Sequence, residues 1–155
     1  MKAVKKITIS AIIIALYVVI MFISQSFAFG QYQIRIATSL YSLSYIYPFL
    51  ILPLGLANFL SNTIMGGLGP LDMFGGIIAG MVTSGAVYLI RKFNWNKWLI
   101  TLPIVFGPGL LVPLWLSYLL NVPYHVLALS ICIGQIIPAI VGVSLVEILN
   151  KYIKN

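Results

Sequence analysis

The amino-acid sequence predicts an all-α membrane protein with six transmembrane helices and with both termini in the cytoplasm. Of its 155 residues, 61% are hydrophobic and 7% are charged, whereas soluble domains carry about 25% charged residues. The apolar residues form long runs, and most of the cations lie in short clusters between them. Because a helix needs about 20 apolar residues to cross a bilayer, the chain has room for about six crossings. Residues 1–155 are therefore interpreted as a single transmembrane domain.

The first apolar segment covers roughly residues 7–29. A signal peptide is the competing interpretation, because Ser26 and Ala28 fit a small-residue cleavage site. The apolar run is longer than the roughly 7–15 residues of a signal-peptide core, which favours a membrane helix. Ala11 and Ala15 lie four residues apart and share one helical face. Small residues at this spacing let helices approach closely, and packing within the protein is the simplest explanation for them.

Turn-forming residues separate the second, third and fourth segments. The second segment, residues 34–47, is short, and Pro48 and Pro53 interrupt the chain after it. The third segment continues to about Ile64. The sequence GGLGPLD at residues 66–72 is rich in turn formers and predicts a loop before the fourth segment.

The last three segments are longer. They cover about residues 73–90, 98–120 and 126–149. The fifth contains PIVFGPG at residues 103–109, whose prolines predict an interrupted helix. Irregular backbone inside a membrane is tolerated where protein buries it or where it lines a cavity, so this motif is a candidate binding element.

The distribution of cations determines the predicted orientation. With six crossings, both termini and the loop after the fourth segment lie on the same side of the membrane. That side holds eight of the nine Lys and Arg residues: Lys2, Lys5, Lys6, Arg91, Lys92, Lys97, Lys151 and Lys154. The positive-inside rule places this side in the cytoplasm, and five or seven crossings would break the agreement.

Arg35 is the one cation on the predicted outer side, and Asp72, one of two acidic residues, falls on the same side. Other polar residues are predicted in this half of the membrane: Gln31, Gln33, Asn58, Asn62, His125 and Gln135. Polar groups at membrane depth are costly and usually face the bundle interior or a water-filled cavity. The pattern therefore predicts a functional site that opens outward. The alternative is a structural pair of Arg35 and Asp72, with amides that hold helices together.

Several classes of function find no support in the sequence. It contains no GxxxxGKS or GxxxxGKT motif for ATP binding and no HExxH motif or paired Cys and His set for a metal. Acid–base catalysis would need Asp72 and His125 together, and nothing in the sequence places them side by side. The confinement of charge to short clusters argues against nucleic-acid binding. We therefore expect neither an enzyme nor a bound cofactor.

The segment pattern, the outward polar site and the AxxxA spacing of the first segment resemble the substrate-binding S-components of energy-coupling factor (ECF) transporters. More narrowly, the chain resembles the QueT family, proposed carriers of queuosine precursors. The stretches that carry this resemblance cover most of the chain: QIRIATSL at 33–40, PFLILPLGLANFLSN at 48–62, GPLDMFGGIIAG at 69–80 and IGQIIPAIVG at 133–142.

The resemblance implies partners and a location. The protein would be a multi-pass protein of the bacterial cytoplasmic membrane that captures a small heterocycle, most simply a 7-deazaguanine precursor of queuosine, from the outer side. The face with Ala11 and Ala15 would dock on a transmembrane coupling subunit, and two cytoplasmic ATPases would drive transport. The protein would lie in the lipid bilayer, and nucleic acid is not an expected partner.

Two positions depart from the family pattern, which has a glutamate at Thr38 and a Gly-Glu pair at Gly134-Gln135. A carboxylate accepts the N–H donors of a 7-deazaguanine base well, and Asp72 is the remaining outer carboxylate. The expected substrate-binding residues are Gln33, Arg35, Thr38, Asn58, Asn62, Asp72, His125 and Gln135. The alternatives are an S-component for another nutrient such as a B vitamin, a self-sufficient secondary transporter or small channel, or a structural membrane subunit.

Overall fold

The computed structural model of the protein describes residues 1–66 and 68–153, and these residues contain seven α-helices and no strand. The α-helices are α1 (Ala3–Ile23), α2 (Gln25–Ala28), α3 (Ile51–Ser61), α4 (Pro70–Lys92), α5 (Thr101–Leu120), α6 (Tyr124–Gly134) and α7 (Ile136–Ile153). The other helical elements are 3₁₀ helices at Ile36–Tyr45, Pro48–Leu50 and Lys97–Ile100 and a π-helix at Asn62–Gly66. Gly67 of the predicted loop and Lys154 of the predicted cation cluster lie outside the described residues.

Within the described residues, five helical stretches are long and apolar enough to cross a membrane. They are Ala3–Ile23, Pro48–Gly66, Pro70–Lys92, Lys97–Leu120 and Tyr124–Ile153. These stretches coincide with the first, third, fourth, fifth and sixth predicted segments. The prediction of an all-α membrane protein is therefore confirmed.

The second predicted crossing is the ten-residue 3₁₀ helix Ile36–Tyr45, which we call the central helix. A 3₁₀ helix rises about 2.0 Å per residue, so ten residues extend about 20 Å. Residues 37–44 are all buried, and α1, α4 and α7 pack around them. Because protein rather than lipid surrounds it, the central helix tolerates hydroxyl side chains that a lipid-facing helix would not favour.

Hydroxyl groups and small residues account for the form of the central helix. Thr38 Oγ1 lies 2.7 Å from the carbonyl oxygen of Arg35, and Ser44 Oγ lies 2.7 Å from that of Tyr41, each within hydrogen-bond reach of the residue three positions back along the chain. Gly142 of α7 lies directly against the helix, since a Cβ added there would be 3.1 Å from the carbonyl oxygen of Ser39.

The central helix connects the two ends of the bundle. At its start, Arg35 contacts Asn62, which bonds to the backbone of Asp72 in the first turn of α4. At its end, Nη1 of Arg91 in the last turn of α4 donates to the carbonyls of Tyr45 and Ile46 at 2.8 and 2.6 Å. Asp72 and Arg91 lie at opposite ends of α4, so side-chain contacts connect the start of the central helix to one end of α4 and its last residues to the other.

The PIVFGPG motif does not interrupt its helix, and the prediction from its prolines is wrong. Residues Thr101–Leu120 form one α-helix that includes Pro108 and Pro113. Each proline removes one backbone hydrogen bond, but membrane helices tolerate this where neighbouring helices pack closely. Gly107 provides such packing, because the Thr83 side chain of α4 occupies the space where a Cβ would lie.

The last predicted crossing is divided, since α6 ends at Gly134 and α7 begins at Ile136. Pro138 explains the division, because it has no N–H to donate to the carbonyl of Gly134. The residue at the break, Gln135, is fully buried. The break therefore places a long amide side chain inside the bundle.

The small residues of α4 lie on the face that packs inside the bundle. Gly76, Gly80 and Ser84 are all buried. A Cβ added to Gly80 would lie 3.0 Å from the Cα of Gly55. The backbones of α3 and α4 are therefore in direct contact, which holds the polar end of α3 against the start of α4.

Candidate functional site

The structure brings seven of the eight expected substrate-binding residues into one hydrogen-bonded group, at the end of the bundle where α4 begins. All seven are buried: Gln33, Arg35, Thr38, Asn58, Asn62, Asp72 and Gln135. His125 is exposed in the first turn of α6 and is not part of this group, which we call the polar cluster.

Neutral acceptors and an aromatic ring hold the guanidinium of Arg35. Its Nε donates to the carbonyl of Ala28 at 3.3 Å, and Nη1 donates to Oδ1 of Asn58 and of Asn62, both at 3.2 Å. The guanidinium carbon lies 4.9 Å from the centroid of the Phe29 ring, which is a cation–π distance. These contacts compensate the buried charge without a carboxylate.

Asp72 is a buried carboxylate with one free oxygen. The residue is 2% exposed and lies in the first turn of α4, where the helix dipole favours a negative charge. Oδ1 accepts a hydrogen bond from Nε1 of Trp115 at 3.0 Å. Oδ2 is buried and has no hydrogen-bond partner among the described residues. Asn62 Nδ2 contacts only the backbone oxygen of Asp72, at 3.1 Å, so Asn62, rather than an ion pair, joins Asp72 to Arg35.

Trp115 is a member of the site that the sequence did not reveal. It lies 43 residues from Asp72 in the chain, and its indole ring covers the position where Gly75 would carry a Cβ. The ring thus reaches Asp72 because α4 has a glycine three residues after the carboxylate. A glycine of this kind could be read from a sequence, but its partner on α5 could not.

The amide of Asn58 extends the polar cluster into the bundle. Its Nδ2 donates to Tyr41 Oη at 2.9 Å, and Tyr41 Oη lies 3.1 Å from Tyr17 Oη. The two tyrosine rings stack with centroids 5.9 Å apart. This chain of contacts connects Arg35 to α1, so Asn58 has a structural role whatever else it contacts.

Thr38 and Gln135 bond to each other. Thr38 Oγ1 lies 2.6 Å from Oε1 of Gln135 and 2.7 Å from the carbonyl oxygen of Arg35, and its single proton serves one of them at a time. Gln135 Nε2 donates to the carbonyl of Gln33 at 3.0 Å. Gln33 has a φ of 44°, a left-handed conformation that this bond helps to hold. Both polar atoms of the Gln135 side chain are thus used within the protein.

A cavity of about 410 Å³ adjoins the polar cluster, which is within the range of about 300–1,000 Å³ that is usual for small-molecule sites. Two irregular segments and the facing ends of α5 and α6 form its walls. The lining residues include Phe29, Gly30, Gln31, Gln33, Gly66, Leu68, Leu116, Leu127 and Ser130. His125 does not line it. The cavity offers apolar walls, an aromatic ring and a few polar groups, which suits binding of a small, partly apolar ligand.

In the part of the chain that the structure describes, no three His, Cys, Asp or Glu side chains cluster as a metal site would require. The chemistry available at the cluster is hydrogen bonding and charge compensation. This arrangement can recognise a ligand, and the buried oxygen Oδ2 of Asp72 is a group of the cluster without a hydrogen-bond partner among the described residues.

A family model described as QueT transporter matches residues 7–151 of the 155-residue chain. No curated protein and no solved structure matches the chain.

Proposed function

Since the chain belongs to the QueT transporter family, we propose that it is the substrate-capture component of an ATP-driven importer of the energy-coupling factor type. It binds a small heterocycle from the outer side, most simply a queuosine precursor with a 7-deazaguanine base. The observation that carries this proposal is the buried polar cluster, which holds Asp72 with no partner for Oδ2 among the described residues and adjoins, through Gln33, a cavity of about 410 Å³.

The proposed topology counts the central helix as a sixth crossing, so that both termini lie on the same side. Lys6 supports this topology, because its Nζ lies 5.9 Å from the centroid of the Phe49 ring, close after the end of the central helix that Arg91 holds. The end of the bundle opposite the cavity then carries seven cations within the described residues: Lys2, Lys5, Lys6, Arg91, Lys92, Lys97 and Lys151. By the positive-inside rule this end is cytoplasmic, and the cavity faces outward in the bacterial cytoplasmic membrane.

The proposed docking surface is the face of α1 that carries Ala11 and Ala15. Both alanines are exposed, whereas the opposite face contributes Tyr17 and Met21 to the core. A groove lined by Ala11 and by Leu56 of α3 runs beside them. A helix face of this kind suits close contact with a transmembrane coupling subunit, and two cytoplasmic ATPases complete the proposed importer. Residues 1–155 act as one substrate-binding domain within it.

A cargo other than a deazaguanine is the second candidate, and one observation favours it. Thr38 and Gln135 form a neutral, hydrogen-bonded pair at the positions where the family pattern has carboxylates. The polar cluster therefore presents fewer charged acceptors to a base rich in N–H groups. A different small ring-shaped nutrient, such as a B vitamin, remains compatible with the single free acceptor of Asp72.

The test is thermal stabilisation of the purified protein by a panel of pre-queuosine bases, purines and B vitamins. A ligand that binds only the folded state raises stability by RT ln(1 + [L]/Kd), about 2.7 kcal/mol at a hundredfold excess over Kd. A rise in the melting temperature with a 7-deazaguanine supports the first candidate, and a rise with a vitamin alone supports the second. The absence of a shift with every compound would contradict a capture role.

A further inference from the structure

We propose that Gln33 determines which ligand the cavity accepts. Its side-chain amide pairs with a ligand edge that carries a hydrogen-bond donor next to an acceptor, such as the lactam edge of a guanine-type base. This inference rests on the proposed function and adds the residue and the chemical group that recognise the ligand.

The side-chain amide of Gln33 is unused within the described part of the protein and reaches open space. The hydrogen bonds of Gln33 involve its backbone: its N–H donates to the carbonyl of Gly30 at 3.1 Å, and its carbonyl accepts from Nε2 of Gln135 at 3.0 Å. The residue is 8% exposed and lines the cavity. Unlike Oδ2 of Asp72, neither amide atom is a buried atom without a partner, so a ligand in the cavity can contact the amide.

Gln33 is the most buried polar residue of the cavity lining. The other polar side chains of the lining are those of Gln31, which is exposed, and Ser130, which is partly buried. Among the described residues that line the cavity, none carries a charge. The cavity therefore recognises a ligand through hydrogen bonds between neutral groups, while apolar residues such as Leu116 and Leu127 contact the rest of the ligand.

The backbone conformation of Gln33 is a second, independent observation. Its φ of 44° is left-handed, and the other non-glycine residues with a positive φ in the described ranges are Asn94 and Asn121. Asparagine tolerates this conformation because its short side chain can bond to the nearby backbone, whereas glutamine has no such advantage. Residues held in unfavourable backbone conformations cluster at ligand sites. A glutamine at this position therefore indicates a role for its side chain.

Neighbouring contacts hold Gln33 in this conformation. A Cβ added to Gly134 would overlap the carbonyl oxygen of Tyr32, so the end of α6 packs directly against the peptide that precedes Gln33. The bond from Gln135 fixes the carbonyl that follows. These contacts fix the backbone from which the amide extends, and a group fixed before binding loses less entropy when the ligand arrives.

The amide defines the class of ligand. Its Oε1 accepts from an N–H group and its Nε2 donates to an acceptor, so two parallel hydrogen bonds form with a ligand that carries a donor beside an acceptor. The N1–H and O6 groups of a 7-deazaguanine have this arrangement. A ligand edge made only of donors or only of acceptors leaves one group of the amide unpaired, which disfavours its binding.

The experiment compares the wild type with Gln33→Gly and the control Asn94→Gly by calorimetric titration and thermal melting. Glycine adopts a positive φ without strain, so neither substitution should lower the melting temperature of the ligand-free protein. Asn94 follows the end of α4 and lies outside the cavity lining. The probe is 7-cyano-7-deazaguanine. We expect Gln33→Gly to raise its Kd at least about tenfold through the lost hydrogen bonds, and Asn94→Gly to bind it as the wild type does.

The 6-deoxo analogue of the probe tests the contact itself, because it lacks O6 and its N1 carries no proton. It should bind the wild type at least about tenfold more weakly than the probe, and this penalty should disappear in Gln33→Gly, since an interaction already lost cannot be lost twice.

Three results would overturn the inference and leave the capture role standing. Gln33→Gly could bind the probe as the wild type does, it could keep the full penalty for the analogue, or it could melt below the wild type, which would show a structural role for the side chain. Binding of a purine or a B vitamin by the wild type without any binding of the probe would also overturn the inference alone. If the wild type binds no pre-queuosine base, purine or B vitamin, both the inference and the capture role fail.

Discussion

At the scale of single residues, the protein treats its two buried charges differently. Arg35 is surrounded by carbonyl and amide oxygens and by the face of Phe29, so its charge is compensated within the protein. Among the described residues, Asp72 has one hydrogen bond to its side chain, from Trp115, and one oxygen without a partner. A buried acceptor without a partner costs about 1–3 kcal/mol, and a ligand N–H group would recover that free energy.

Replacing Asp72 with Asn should therefore weaken ligand binding. Asparagine keeps the shape of the side chain and an oxygen for Trp115, but it loses the negative charge. We expect binding to weaken by at least about 1.5 kcal/mol, the contribution of a hydrogen bond to a charged group, measured by calorimetric titration. The control is His125→Gln, since His125 is exposed and outside the cavity lining. Wild-type affinity in the Asp72→Asn protein would remove Asp72 from the site.

The sequence predicted which polar residues share one end of the bundle, because segment ends and cation counts determine sidedness. Arg35, Asn58 and Asn62 were grouped on this basis, and they are in direct contact. The bond between Trp115 and Asp72 could not be predicted, since it depends on how α5 packs against α4. The neutral pair of Thr38 and Gln135 was also beyond prediction, because it requires the break at the α6–α7 junction.

At the scale of elements, the central helix shows how burial replaces hydrophobicity. The sequence predicted a short segment at residues 34–47, and the structure contains a helix at Ile36–Tyr45. The 3₁₀ form and the complete burial depend on neighbours such as Gly142, which no local pattern identifies. The prolines of α5 show the opposite case. They predict an interrupted helix, but close packing around Gly107 accompanies a continuous one.

The exposed face of α1 leads to a prediction about transport. Ala11→Leu combined with Ala15→Leu should leave ligand binding intact, because the cavity lies at the other end of the bundle. The larger side chains should prevent close approach of the coupling subunit and abolish uptake by cells that contain the complete importer. Ile12→Leu, an exposed position on the same helix, serves as the control. Normal uptake by the double variant would contradict docking through this face.

At the scale of the whole molecule, the polar cluster and most of the cations lie at opposite ends of the bundle. The net charge of +7 comes from nine cations against two acids, and Arg35 is the cation at the cavity end. This separation distinguishes the polar cluster from general surface charge. It also makes the orientation of the protein in the membrane directly testable.

Cysteine labelling of intact cells should report the proposed orientation. In a Cys132→Ser background, which removes the native thiol, we expect His125→Cys to react with a membrane-impermeant maleimide. Asn94→Cys should react only after the membrane is permeabilised, because it follows Arg91 and Lys92 at the end of α4. If position 94 is labelled and position 125 is protected in intact cells, the proposed orientation is wrong and the opposite one is supported.

The central helix also has a consequence for how the protein is made. A segment of ten residues is shorter than the roughly 20 apolar residues that insert into a bilayer as an independent helix, and its hydroxyl groups lower its affinity for lipid. Under the six-crossing topology, the segment cannot enter the membrane alone as it leaves the ribosome. It must wait at the bilayer surface until α4 and α7, the helices that surround it together with α1, have been synthesised. Correct biogenesis of this protein would then depend on α7, which is synthesised about 90 residues after the central helix.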